Sequence, residues 1–580
     1  MEDIHWFDEQ SLQLLEAFLT SAEINADFIL SSRQESSKNI LAMLKNIKLR
    51  RGRAITTIRL TPFSRGEIAE ICRHSLSLDI IEDKGEDYFI RESEGLPLLL
   101  FEMLRALSEN PDSDCTNGLG GLMMERIGKL SPIQQDILTA LSVFTAGAEP
   151  EQTAEVTGYT MADILPAAES VIKKGLLREK LEDNRVIWDF THSSVRGCIY
   201  ESISLSKRQD LHSKAAEVLG RSYSPQRWDP NLSSMLRHHY VKSGQKVPEL
   251  RQCIRELIFD ITLNHDLFPV VSDSVLLSCS SPFSSRDETE EKIRQAMAIL
   301  EYIGSRRMVC DEEYAKLEAS CFELAGGYHI SWGEYEKGRV YINRAIKLSA
   351  EHGFKETHIH CLKHFSYMFL QTENAEKLLT VARDLLRLAR EADEAHYVAT
   401  AVRLIGVSLF LLKKYDLAEK TFKHSIKLFE SLKITGKSYT LGILVAMCYI
   451  GEIYQVRGDI KTALSYFTYC VNTCEGIGLY WGRSYFLTHA ADAALDTDDM
   501  TLMYSQIDKA VNLFESCQGG RSGSMMYSLK AVADAERGDM DSAVRSLENA
   551  EIFLNAVARK QWKATQYMAK AWVVSKMDEY

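Results

Sequence analysis

The chain has little proline, 11 in 580 residues, and no uninterrupted apolar run of 18 or more. Scarce proline beside abundant Leu, Ala, Glu and Lys argues against a sandwich of short strands and for helices. The missing apolar run argues against a transmembrane helix. No CxxC pair occurs among the 12 cysteines, which are scattered through helix-like segments. They read as buried thiols in a reducing compartment rather than as a disulfide framework. Basic residues are outnumbered, 68 Lys and Arg against 81 Asp and Glu, for a net charge of −13. No overall positive field therefore draws the chain to nucleic acid or to an anionic membrane. The opening MEDIHWFDEQ has neither the basic nor the apolar region of a secretory leader, so a cytoplasmic location is expected. What is present is ordinary for a globular chain, 45% hydrophobic and 26% charged, and its length predicts about four units.

The strongest pattern lies in residues 311–580. A small residue recurs with an aromatic or polar residue three on, a small or apolar residue twelve on and an apolar residue sixteen on. One copy is Gly406, Leu409, Ala418 and Phe422, and the next is Gly451, Tyr454, Ala463 and Phe467. Weaker copies start at Gly326, Ser366, Ala491 and Ala531, so the starts fall 40, 40, 45, 40 and 40 residues apart. Each copy predicts a pair of antiparallel helices. The small residues let two backbones approach, and the larger residue fills the groove to the neighbouring hairpin. Turn chemistry falls between the helices at Gly458, Asp498 and Gly538. Stacked units of this kind form an α-solenoid. The spacing resembles tetratricopeptide (TPR) repeats in their longer-helix version. Gly326, Gly406, Ala418, Phe422, Gly451, Tyr454, Ala463 and Phe467 read as hairpin core. A ligand would use the concave face, which these positions do not identify.

Residues 118–205 have a different rhythm. Ser131, Pro132 and Gln134 form a helix-start signal, and Ile133, Ile137, Leu138, Leu141 and Phe144 mark one apolar face. A second helix begins at Thr160 and stops at Gly175. LLREKL and RVIWDF follow as a hairpin. Helices followed by a hairpin predict a winged-helix-like module. Asp163, Glu169, Lys173 and Lys174 cancel on its second helix, so a structural coupling role is favoured over DNA reading. His192 reads as a capping or packing residue. His5, His238 and His239 lack zinc-ligand spacing. Residues 206–310 read as linking helices with a Ser-rich loop.

Residues 1–110 alternate strand-like runs, ADFILSS and AITTIRL, with helix-like ones. This predicts part of an α/β domain followed by a helical lid. The order of motifs resembles the STAND-class signalling ATPases of the AAA+ superfamily. EDIHWFDEQSLQLL is similar to their Walker B segment, FILSSRQE to the sensor-one arginine, LTPFSRGEI to the approach to the lid, and EGLPLLLFEML to the G-x-P motif. The stretch WDFTHSSVRGCIYESISLSKRQDLHSKAAEVL and the array after it resemble LuxR-type regulators of the maltose-activator kind.

The resemblance implies that Glu2 and Asp3 order Mg²⁺ and the attacking water. It implies that Arg33 senses the γ-phosphate, and that Gly95 and Pro97 present the lid to the nucleotide. Two departures accompany it. No G-x-x-x-x-G-K-[ST] occurs: Gly436, Lys437 and Ser438 follow Ser431 instead of a first glycine, and Gly128 and Lys129 are followed by Leu130. The helix-turn-helix that closes such regulators has no counterpart before Tyr580. The chain as given is therefore expected to hold no cofactor and to hydrolyse no ATP, whereas ATP and Mg²⁺ are expected for a full-length family member. The reading is a signal-transduction regulator, transcriptional in output, with an inducer or protein as partner on the array, no direct DNA contact, no membrane, and self-association as a further option. The alternatives are a non-enzymatic TPR scaffold and a fragment of a larger protein with a separate output enzyme.

Overall fold

The computed structural model describes the chain apart from residues 2–3, 5–6, 8, 21–27, 33–39, 41–42, 45–46, 48–55, 57, 110, 112–117, 183, 222–228, 266–268, 279–285, 436–437, 480–481, 498, 517–522, 557–559 and 578–580. It is mainly helical and divides into two compact units, Met1–Ser204 and Leu205–Tyr580.

In the first unit, helix Glu9–Thr20 packs Leu12, Leu15 and Leu19 against Ile4, Ile40, Met43 and Ile47. The strands expected in residues 1–60 are not formed among the described residues, where the one sheet is a two-stranded hairpin further on. FILSS is held instead by single backbone bonds: the Met1 amine donates to Ile29 O, and Ile4 N–H donates to Ser31 O at 3.0 Å. Ile58 and Leu60, in the second expected strand, are exposed. A β-branched run has no ladder to join without a neighbouring strand.

The region read as a lid is helical. Helices Arg65–Ser75, Leu78–Lys84, Glu86–Ser93 and Pro97–Glu109 enclose Ile68, Cys72, Phe89, Leu100, Met103 and Leu107. Ser64 and Glu67 cap the first of them reciprocally.

Helices Pro132–Ser142, Pro150–Thr157 and Met161–Lys173 follow, two of them started by the Ser131–Gln134 and Thr160–Asp163 capping boxes. Strands β1 (Leu177–Glu182) and β2 (Arg185–Phe190) then pair antiparallel, Leu177 opposite Phe190 and Glu182 opposite Arg185. Asn184 takes φ +63° in their turn. Trp188 is fully buried and donates its indole N–H to Glu179 Oε1 at 3.0 Å. His192 stands at the N-cap of helix Ser193–Ser202, where its side chain makes no capping bond.

The second unit opens with helices Leu205–Arg221, Pro230–Ser243, Lys246–Asp260 and Arg286–Arg306. Six hairpins follow among the described residues. Their first helices are Asp311–Ser331, Lys355–Gln371, Ala395–Leu411, Thr440–Val456, Arg483–Leu495 and Gly523–Glu536. Their second helices are Tyr335–His352, Ala375–Glu391, Tyr415–Leu432, Ile460–Gly476, Met500–Ser516 and Met540–Ala556, and Lys560–Met577 closes the row.

The periodic positions do what hairpin packing asks of them. A methyl added at Gly406 would stand 2.7 Å from the Phe422 ring, one at Gly451 2.7 Å from the Phe467 ring, and one at Gly326 2.7 Å from Ile342. Ala418, Phe422, Ala463 and Phe467 are fully buried. Tyr454 stacks on Tyr466 with ring centroids 5.9 Å apart. Five of the turns inside the hairpins carry a left-handed residue, a glycine at Gly333, Gly458 and Gly538 but Glu373 and Lys413 in the second and third.

Candidate functional site

The residues the ATPase resemblance points to divide in two. Glu2, Asp3 and Arg33 lie outside the described residues. Gly95 and Pro97 lie in the lid-like helices. Gly95 has φ +74°, its carbonyl accepts from Phe63 N–H at 2.8 Å, and a Cβ there would meet Phe63 O at 2.7 Å. Only glycine fits that approach. Pro97 opens helix Pro97–Glu109 and is exposed.

The array holds a constellation that the repeat pattern alone leaves unmarked. Counting back three residues from the small residue of each repeat gives Glu323, Lys363, Arg403, Cys448, Thr488 and Ser528. All six are buried, none more than 5% exposed. They form one polar row, a residue per first helix. Thr488 and Ser528 satisfy their hydroxyls on their own helices, donating to Ser484 O and Ser524 O. Glu323, Lys363 and Arg403 are charged residues in consecutive repeats.

Glu323, Arg403 and Cys448 meet residues near the small position of a neighbouring repeat. His364, two before its small residue, lies 2.8 Å from Glu323 Oε1. Gly327 makes that possible, since a Cβ there would stand 2.5 Å from the imidazole. Arg403 hydrogen-bonds the Tyr367 side chain and lies near Tyr449, while burial lowers its pKa. Burial raises the Glu323 carboxyl against the opposing pull of His360 and Lys363. Burial also pushes His360 down to about 4. In the fourth and fifth repeats the same register brings Cys448, Glu452 and His489 together, with one donor atom of each within 4.8 Å of the others.

Each buried ion costs several kcal/mol in desolvation, about as much as or more than the 1.5–3 kcal/mol an aliphatic side chain would contribute there. Charges kept at such positions, with the Glu323 and Arg403 pKa values shifted by burial, mark a candidate ligand site. The sequence reading missed the row because its residue type changes at every repeat. Aligning the six starts and reading the column three before them exposes it.

A second polar cluster joins helices Leu205–Arg221 and Pro230–Ser243. His212 Nδ1 lies 2.9 Å from His239 Nδ1, both buried, with the His238 ring 5.6 Å from that of His212. Burial pushes His212 down to about 4 and His239 down to about 3. Among the described residues these histidines belong to no group of three metal-type donors.

No family profile matches the chain, and no curated protein does. Solved structures do. The signal transduction ATPase with numerous domains (STAND) protein with a tetratricopeptide repeat sensor from Pyrococcus horikoshii superposes with a TM-score of 0.53 at 14% identity, over 95% of this chain and 79% of that one. Yeast Tom70 gives a TM-score of 0.39 at 11% identity over 93% of this chain and 92% of that one. Aspartyl phosphate phosphatase F from Bacillus subtilis gives 0.37 at 15% over 73% and 94%. The class this fold defines is a TPR-like helical-repeat protein. Over most of its length its fold is similar to that of a STAND protein carrying a TPR sensor. Among the described residues no helix is long and apolar enough to cross a membrane.

Proposed function

We propose that the chain is a signal-transduction regulator, transcriptional in output, whose TPR-like array is the sensor. The single observation that carries this reading is the buried row Glu323, Lys363 and Arg403 in consecutive repeats. A scaffold needs only aliphatic residues there, whereas a sensor needs charges placed to meet a ligand. In this reading an inducer or a protein segment with an anionic group engages Lys363 and Arg403. The winged-helix-like module at 118–205 passes the event to a STAND-type ATPase module at 1–110.

The ligand shifts the switch only by as much as it binds one state better than the other. Glu2 and Asp3 would order Mg²⁺ in a form that carries a phosphate-binding loop, with Arg33, Gly95 and Pro97 toward the nucleotide. Hydrolysis by this chain alone is not part of the proposal, nor is direct DNA contact. Self-association and a cytoplasmic location are.

Hydrogen exchange on the full chain tests the reading. Fractions of a host extract are added, and protection is mapped. Slowed exchange in the first helices of the second and third repeats, 355–371 and 395–411, supports a sensor array. Protection confined to residues 1–204 sinks it.

A further inference from the structure

Two histidines occupy the same register in the array and meet different neighbours. His364 faces Glu323 from three before the small residue and Gly327 from one after it, and it closes to a 2.8 Å hydrogen bond with the carboxylate. His489 faces Cys448 and Glu452 from those same two positions, and His489 Nε2 stands 4.0 Å from Glu452 Oε1. The second pair is too far apart to hydrogen-bond. A thiol lies on its other side, and the three donor atoms all fall within 4.8 Å of one another. All three side chains are buried, Cys448 at 0%, His489 at 3% and Glu452 at 6% exposure.

We propose that Cys448, Glu452 and His489 form a binding site for one Zn²⁺-class transition-metal ion, clamping helix Thr440–Val456 to helix Arg483–Leu495. Three observations carry it. The donors are of the types that zinc takes, thiolate, imidazole and carboxylate, and the thiolate selects against Mg²⁺ and Ca²⁺. Their separation is near what a tetrahedral ion needs, since bonds of about 2.0–2.3 Å place donors roughly 3.3–3.8 Å apart. Here the His489–Glu452 separation is 4.0 Å and no donor pair is more than 4.8 Å apart.

The third observation is charge. A thiolate and a carboxylate neutralise a divalent ion, and the imidazole stays neutral, so the buried site carries no net charge. Binding requires loss of the Cys448 proton, which is released to solvent with each ion bound. Without an ion, burial and Glu452 hold that thiol protonated, well above its ordinary range. Two aromatic rings flank the site: the His489 ring centroid lies 4.4 Å from that of Tyr485 and 5.6 Å from that of Phe467. A fourth position remains for water or a ligand. The inference does not rest on the sensor reading above.

The test is a Co²⁺ titration of the full chain, reduced and freed of metal by a chelator, followed by Zn²⁺ competition. The expected result is one ion per chain, a thiolate-to-cobalt charge-transfer band in the near ultraviolet, visible bands of tetrahedral intensity, and displacement of all of them by Zn²⁺. Cys448→Ser should abolish the charge-transfer band. His489→Gln, read independently in case the first variant does not fold, should weaken Co²⁺ binding at least tenfold, with circular dichroism of the metal-free protein unchanged. No thiolate band in the folded wild-type chain overturns the proposal. So does a band that survives both substitutions, which places the ion on other cysteines.

Discussion

His364 Nε2 lies 2.8 Å from Glu323 Oε1, and the two side chains, 41 residues apart in sequence, join the first hairpin of the array to the second below its surface. Lys363 and His360 stand beside them. The pair is the best-defined member of the buried polar row, and its energetics follow from its burial.

Removing one partner leaves the other buried without its bond, at a cost of about 3–5 kcal/mol. Glu323→Ala is therefore expected to lower the unfolding midpoint of the array sharply. The double change Glu323→Leu with His364→Leu should recover most of that loss. Urea unfolding followed by array-specific hydrogen exchange reads both. Equal losses in the single and double variants would show that the pair contributes no coupling.

The His212–His239 contact predicts a pH dependence of definite sign. Both imidazoles are neutral in the fold, with pKa values pushed by burial to about 4 and about 3. Neighbouring His238, Lys242 and Arg208 push His212 the same way. Folded pKa values below the unfolded value near 6.5 mean that the unfolded chain takes up protons first as pH falls. The stability is complete above about pH 6.5 and declines as pH falls from there toward about 4 for His212 and about 3 for His239. Proteolysis of helices Leu205–Arg221 and Pro230–Ser243 at pH 7.5, 6 and 5 should show progressive opening, and His239→Gln should flatten the trend. Asp492, raised by burial to about 6, has the opposite sign. It favours the fold below its unfolded pKa, and that contribution is lost as pH rises through about 6, so a local readout is required.

Glu373 and Lys413 sit at φ +51° and +59° where the first, fourth and sixth hairpins place glycine. A side chain in that region is strained by roughly 1–2 kcal/mol, part of which glycine gives back as unfolded-state entropy. Lys413→Gly and Glu373→Gly should each stabilise by about 0.5–1 kcal/mol. A rise of a few degrees in the melting temperature of the array checks this, and a fall would contradict it.

Gly451→Ala tests the hairpin packing from the opposite direction. Alanine is the better helix former by about 1 kcal/mol, yet its methyl would stand 2.7 Å from Phe467, a ring with no exposed surface. Overpacking costs about 1–3 kcal/mol, so the expected net effect is destabilising. Phe467→Leu in the same chain should relieve it. A gain in stability from Gly451→Ala alone would mean that the ring moves freely.

The hairpins were legible in the sequence because every repeat needs a small residue where its helices touch and a large one opposite. Gly406 with Phe422 and Gly451 with Phe467 state that need twice in almost the same words. The capping box at Ser131 and the helix start at Thr160 were legible for a similar reason, since such a box is a local bond between residues three apart. Within AITTIRL the described Ile58 and Leu60 are exposed, and β-propensity is a preference for a packed pleated surface that they do not meet. The polar row was hidden because its members share a place in the stack and not a residue type. Likewise Cys448, Glu452 and His489 converge only once two hairpins have packed.

The central claim is that the buried charges of the array meet a ligand. Its most direct test is a binding measurement on full-length Lys363→Met and Arg403→Met chains beside the wild type, using the extract component that protects the array in hydrogen exchange. Methionine keeps most of the side-chain volume and removes the charge. The account predicts that both variants stay folded, by circular dichroism, and bind that component at least tenfold more weakly. Unchanged affinity in both folded variants would contradict it and leave the row as a structural network.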